Sequence, residues 1–74
     1  MRIRQNDQVP QYESNVKIYR QRAGLSQEAL ARELGVSRQT VVNIERGTNE
    51  PRVFLAIALG AILGVAVAEL FWKS

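Results

Sequence analysis

Glycines at positions 24, 35, 47 and 64 cut this 74-residue chain into helix-sized pieces, and nothing else constrains its fold as strongly. Val16, Tyr19, Arg20 and Ala23 fall at i, i+3, i+4 and i+7. That spacing predicts a first helix with these residues on its inner face, stopping at Gly24. Ser26 has the chemistry of an N-cap, and Glu28 is well placed against the helix dipole. Leu30, Ala31 and Leu34 make the inner face of a second helix that Gly35 ends. Ser37 caps a third helix with Val41 and Ile44 turned inward, closed by Gly47 as a left-handed residue. "TNEP" reads as a turn, with Pro51 in the first turn of a fourth helix running to about Leu63. Residues 66–72 make a short fifth helix. The expectation is an all-α protein of five short helices with no strand of consequence.

A chain this short forms one domain, near the lower size limit for a single core. Its 46% hydrophobic residues suffice for a globule and are too many for a disordered tail. Cysteine and histidine are both absent. This excludes a disulfide scaffold and Cys/His zinc or haem ligation, and removes the commonest general base. With no convergent carboxylate pair either, no enzymatic activity, cofactor or metal is expected. The net charge of +3 permits an anionic partner without demanding one. Residues 1–14 are polar, contain Pro10 and lack a helical period, so they read as an N-terminal arm, with the domain proper at 15–74. Arg2 and Arg4 suit that arm to phosphate or minor-groove contacts. The leader has no apolar run of the secretory kind, and a cytoplasmic location is expected.

The second and third helices are joined by "LGVS", too tight a turn for antiparallel packing, so the two must cross sharply. With "GLSQEALARELGVSRQTVVNIERG" the chain closely resembles the Cro/CI-type (XRE-like) helix-turn-helix regulators. The resemblance spans residues 15–72. It rests on Gln27, Ala31, Gly35, Val36, Ser37, Ile44, Glu45 and Gly47 at the family's spacing, followed by "PRVFLAIALGAILGV" and "AELF". It implies a lambda-repressor-like five-helix domain that binds double-stranded DNA as a sequence-specific transcriptional regulator.

Physical chemistry points the same way for the third helix. A helix N-terminus in the major groove offers its first side chains to base edges and its amides to phosphate. Arg donates two bonds to guanine, and Gln pairs bidentately with adenine. Arg38 and Gln39 open the helix, Asn43 follows one turn later, and Val42 faces the groove side, where it can touch a thymine methyl. Ser37 and Thr40 offer hydroxyls to phosphate or the groove wall. Each residue alone suits any solvated helix face; the set within the motif is what tips the reading. The resemblance implies that Gln27 clamps the backbone and that Arg46 and Arg52 add phosphate contacts. Glu50 sets an acidic charge beside them. Arg20 and Glu45, opposite charges on inward-leaning faces, suggest an ion pair locking the first helix to the third, and the resemblance implies the same pairing.

Residues 53–68 carry no polar or charged side chain. A membrane span needs about 18–20 such residues, and this run is shorter, so no membrane association is expected. Val53, Ala56, Ile57, Gly60 and Leu63 form one expected inward stripe; Phe54, Ala58, Ala61 and Val65 lie on another side. The resemblance implies Lys or Arg at positions 58 and 61 and a Ser or Thr cap at 66, where this chain has alanine. Gly60 inside the helix costs about 1 kcal/mol against alanine and suggests close backbone approach. A helix apolar all round is buried all round, which implies another chain. A homodimer through Phe54, Ala58, Ala61, Leu70 and Trp72 is one reading, with repression by operator occupancy. An antitoxin-like or anti-repressor module, whose fourth helix binds a different protein partner, is the other.

Overall fold

The computed structural model describes residues 10–73. Arg2 and Arg4 lie outside the described residues. Five helices follow in order: α1 (Val16–Arg22), α2 (Gln27–Leu34), α3 (Arg38–Arg46), α4 (Val53–Leu63) and α5 (Val67–Leu70). Two short strands, β1 (Glu13–Ser14) and β2 (Phe71–Trp72), pair antiparallel with Glu13 opposite Trp72 and Ser14 opposite Phe71.

The helix ends follow local chemistry. Ser26 and Ser37 sit in extended backbone, and their hydroxyls accept from the amides of Ala29 and Thr40, filling donor positions that a helix start leaves open. Gly35 and Gly47 stand in the left-handed region at φ 73° and 76°. At Gly47 the amide bonds back to the Ile44 carbonyl, and the next amide, Thr48, bonds to Asn43. That pattern closes the last turn only with a residue at positive φ.

Val16, Leu30, Ala31, Val41, Ile44, Leu59 and Leu70 form the buried core. Every helix therefore contributes. Gly60 packs against the turn into α5, where an added Cβ would lie 2.8 Å from the Val65 carbonyl oxygen and 3.4 Å from Val67 Cγ2. The close approach expected at Gly60 is present.

Several expectations are corrected. Ala23 is exposed rather than inward, because α1 ends a residue earlier. Pro51 lies ahead of α4, whose N-cap is Arg52. The inward side of α4 is Leu55, Leu59 and Ile62 together with Gly60 and Leu63 of the expected stripe, whereas Val53 and Ile57 are exposed at 65% and 54%. The fifth helix stops at Leu70, and residues 71–72 are strand. Ala66 caps α5 without a side-chain hydrogen bond, so the helix starts weakly. The backbone instead extends where β1 offers it pairing partners. Leu70, expected on an exposed dimer face, is 0% exposed and belongs to the core; its area is already spent inside the monomer. Among the described residues, no helix is long and apolar enough to cross a membrane.

Candidate nucleic-acid interface

The α2–α3 unit begins with Gln27 and ends with Arg46, and it is held by charge as well as packing. Arg20 of α1 and Glu45 of α3 form an ion pair with Nε and Oε2 2.5 Å apart, their side chains only 9% and 6% exposed. Arg20 Nη1 also donates to the Leu25 carbonyl at 2.8 Å. Gln27 Nε2 donates to the other Glu45 oxygen at 3.0 Å. The carboxylate thus ties α1, α2 and α3 together and fixes Gln27 at the start of α2. Burial of both ions is tolerated because each charge is paired and further hydrogen-bonded.

Above this frame the first turn of α3 faces solvent. Arg38 and Gln39 are exposed, while Thr40, Val42 and Asn43 are half-buried. Gln39 Nε2 donates to Asn43 Oδ1 at 3.0 Å, one turn on. This link orders the two amides as a unit and leaves the Gln39 carbonyl and the Asn43 NH2 free to meet base edges. Ser37 Oγ and Thr40 Oγ1 are 3.0 Å apart, so the two hydroxyls candidate for phosphate contact stand side by side at the helix start. The structure therefore gathers Ser37, Arg38, Gln39, Thr40, Val42 and Asn43 on one helix. Arg46 at its far end and Arg52 ahead of α4 are both exposed, flanking the loop that carries Glu50.

Two residues at this end were not singled out from the sequence. The Gln11 amide donates to the Gly47 carbonyl at 2.6 Å. The Tyr12 hydroxyl donates to the Asn49 carbonyl at 2.6 Å, with the Ile44 carbonyl a longer second acceptor at 3.3 Å. The Tyr12 ring meets Phe71 edge to face, centroids 5.3 Å apart. Burial, with the Glu50 charge nearby, pushes the Tyr12 phenol up to about 12. One signal in the sequence was available: Tyr12 is the sole aromatic among residues 1–14.

Helix α4 also leaves apolar surface in water. Phe54 is 81% exposed, and Ala61 is exposed beside Ile57. Ala58 is half-buried and Trp72 exposed. An open groove of about 660 Å³ runs between the α2–α3 turn and the start of α4, lined by Leu34, Val36, Thr40, Ile44, Phe54 and Leu55 among others.

Comparison with known proteins agrees with this geometry. The model of the helix-turn-helix family matches residues 16–70. An HTH-type transcriptional regulator of Methanocaldococcus jannaschii is 41% identical over 58 residues, covering 78% of this chain and 88% of the relative. The HTH-type transcriptional regulator YgzD of Bacillus subtilis is 39% identical over 59 residues, covering 80% of this chain and 89% of its own length. Among solved structures, the clp gene regulator ClgR from Corynebacterium glutamicum superposes with a TM-score of 0.67 at 28% identity, over 73% of this chain. The matched part is 57% of the ClgR chain. From the capped α2–α3 pair, the exposed opening turn of α3 and these relatives together, the chain belongs to the XRE-type helix-turn-helix family of DNA-binding transcriptional regulators.

Proposed function

We propose that this protein is a homodimeric repressor that occupies a pseudo-palindromic operator in cytoplasmic DNA and obstructs polymerase there. The observation that carries the reading is the exposed first turn of α3, with Arg38 and Gln39 in solvent above a frame clamped by Arg20, Glu45 and Gln27. In this reading the amino end of α3 enters the major groove. Arg38 and Gln39 contact bases, Asn43 extends the contact by one turn, and Val42 meets a thymine methyl. Gln27, Ser37, Thr40, Arg46 and Arg52 hold the phosphates on either side and set the register.

One such helix reads only a few base pairs. Two copies related by a two-fold axis read half-sites about 34 Å apart on one side of the duplex. The exposed Phe54 and Ala61, with half-buried Ala58 on the same helix and exposed Trp72 on β2, supply the apolar area for that contact. The same exposed Phe54 and its neighbouring groove also favour a second reading, an antitoxin-like or anti-repressor module that docks a different protein on α4.

Selection of duplexes from a random pool, combined with sedimentation of the pure protein, tests the proposal. A two-fold symmetric consensus bound by two copies is expected. A protein that stays monomeric and selects no sequence overturns it in favour of the second reading.

A further inference from the structure

The family match begins at residue 16, and the segment just ahead of it is bound to the wrong end of α3 to be a passive tail. We propose that Gln11 and Tyr12 form a strap that positions the DNA-reading helix, with Tyr12 as its positioning residue. The proposal rests on α3 being that helix.

Four observations converge. The strap supplies donors to carbonyls at and just beyond the end of α3. Gln11 bonds the Gly47 carbonyl at 2.6 Å, and Tyr12 bonds the Asn49 carbonyl at 2.6 Å with Ile44 as a longer acceptor. Next, Gly47 is buried, and a Cβ added there would collide with the Tyr12 carbonyl oxygen, so the strap lies directly against the end of α3. The strap is itself anchored, through β1 pairing with β2 and through the edge-to-face contact of Tyr12 with Phe71. Finally, the bond to Asn49 holds the loop between Arg46 and Arg52, the two cations that flank it.

The consequence is mechanical. The opening turn of α3 is set by its tight junction with α2, and the strap sets the other end. A helix of nine residues is about 13 Å long, so a few degrees of tilt about that fixed turn move Arg46 and the loop to Arg52 by about 1 Å, and with them the phosphate contacts that set where Arg38 and Gln39 meet the bases. Base-edge hydrogen bonds need placement within about 0.5 Å. Phosphate contacts by long flexible side chains tolerate more. Loosening the strap therefore weakens sequence discrimination more than general affinity for DNA.

The test compares the parent with Tyr12→Phe, which removes only the hydroxyl, and Tyr12→Ala, which removes the ring as well. In the free protein, amide exchange at Gly47 and Thr48 is expected to accelerate several-fold in Tyr12→Phe while Leu30 in the core is unchanged. Binding is measured to the duplex the parent selects from a random pool and to a mixed-sequence duplex. Specific affinity is expected to fall about three- to tenfold in Tyr12→Phe, in keeping with one lost hydrogen bond, and further in Tyr12→Ala, with mixed-sequence affinity held. If Tyr12→Ala does not fold, Tyr12→Phe decides alone. An unchanged ratio of specific to mixed-sequence binding, or exchange that accelerates equally throughout the core, overturns the strap. A parent that selects no sequence sinks the reading of α3 instead, and the exchange at Gly47 and Thr48 then decides the strap.

Discussion

Arg20 and Glu45 stand 25 residues apart in the chain and meet through a 2.5 Å contact between α1 and α3, with Gln27 bonded to the same carboxylate. A pair this buried stabilises less by its own attraction than it costs when one partner is removed. Glu45→Gln or Arg20→Ala is expected to lose about 3–5 kcal/mol, a large share of the stability of so small a domain. The double variant Arg20→Met/Glu45→Leu should recover much of that loss, because apolar side chains of similar size leave no uncompensated charge. Denaturant unfolding of the three variants checks the order; a double variant as unstable as the singles contradicts it.

Arg38 and Gln39 are exposed in the first turn of α3, where each can address a base edge. Alanine at either position is expected to cost about 1–3 kcal/mol in binding and to relax preference at one base position. Selection experiments on the two variants measure this directly. Retention of the parent's full preference by both removes α3 from the major groove.

Ala61 lies exposed on the same face of α4 as Phe54. Ala61→Lys buries an unpaired charge in a dimer built on that face and is expected to yield a folded monomer with poor operator affinity. Sedimentation of parent and variant decides between an α4 interface and another surface. Leu70→Ala is a contrasting control, since its 0% exposure predicts loss of monomer stability instead.

Helix propensity alone makes Gly60→Ala stabilising by about 1 kcal/mol. The added methyl would lie 2.8 Å from the Val65 carbonyl oxygen, which belongs to backbone. Overpacking of this kind costs about 1–3 kcal/mol, so net destabilisation is expected. A rise in melting temperature would show that the α4–α5 turn can give way.

Tyr12 has its phenol pushed from 10.0 up to about 12, chiefly by burial and then by Glu50. A folded-state value above the unfolded one means the neutral phenol is favoured in the native state. Its contribution is fully present below pH 10 and is lost as pH rises through about 12. Unfolding followed between those values should show a loss of stability in the parent that Tyr12→Phe lacks. Identical slopes in the two proteins refute the assignment.

Local chemistry made much of this protein legible in its sequence. Ser26 and Ser37 announce helix starts through a hydroxyl within reach of an amide three residues on, and Gly35 and Gly47 announce ends through a backbone conformation other residues avoid. Leu30, Val41 and Ile44 declare their burial by period, because polar neighbours mark the opposite face. On α4 that contrast vanishes. Its residues are apolar on every side, so spacing carried no direction, and Val53 and Ile57 could be sorted from Leu55 and Leu59 only by what packs against them. The far end of the chain shows the same limit. Residues 71–72 became strand because Glu13 and Ser14, nearly sixty residues earlier, lie alongside with free backbone groups. Tyr12 reached α3 and its loop across 32 and 37 residues. Caps and periods are encoded within a turn or two of chain, whereas these pairings depend on which groups the finished fold brings together.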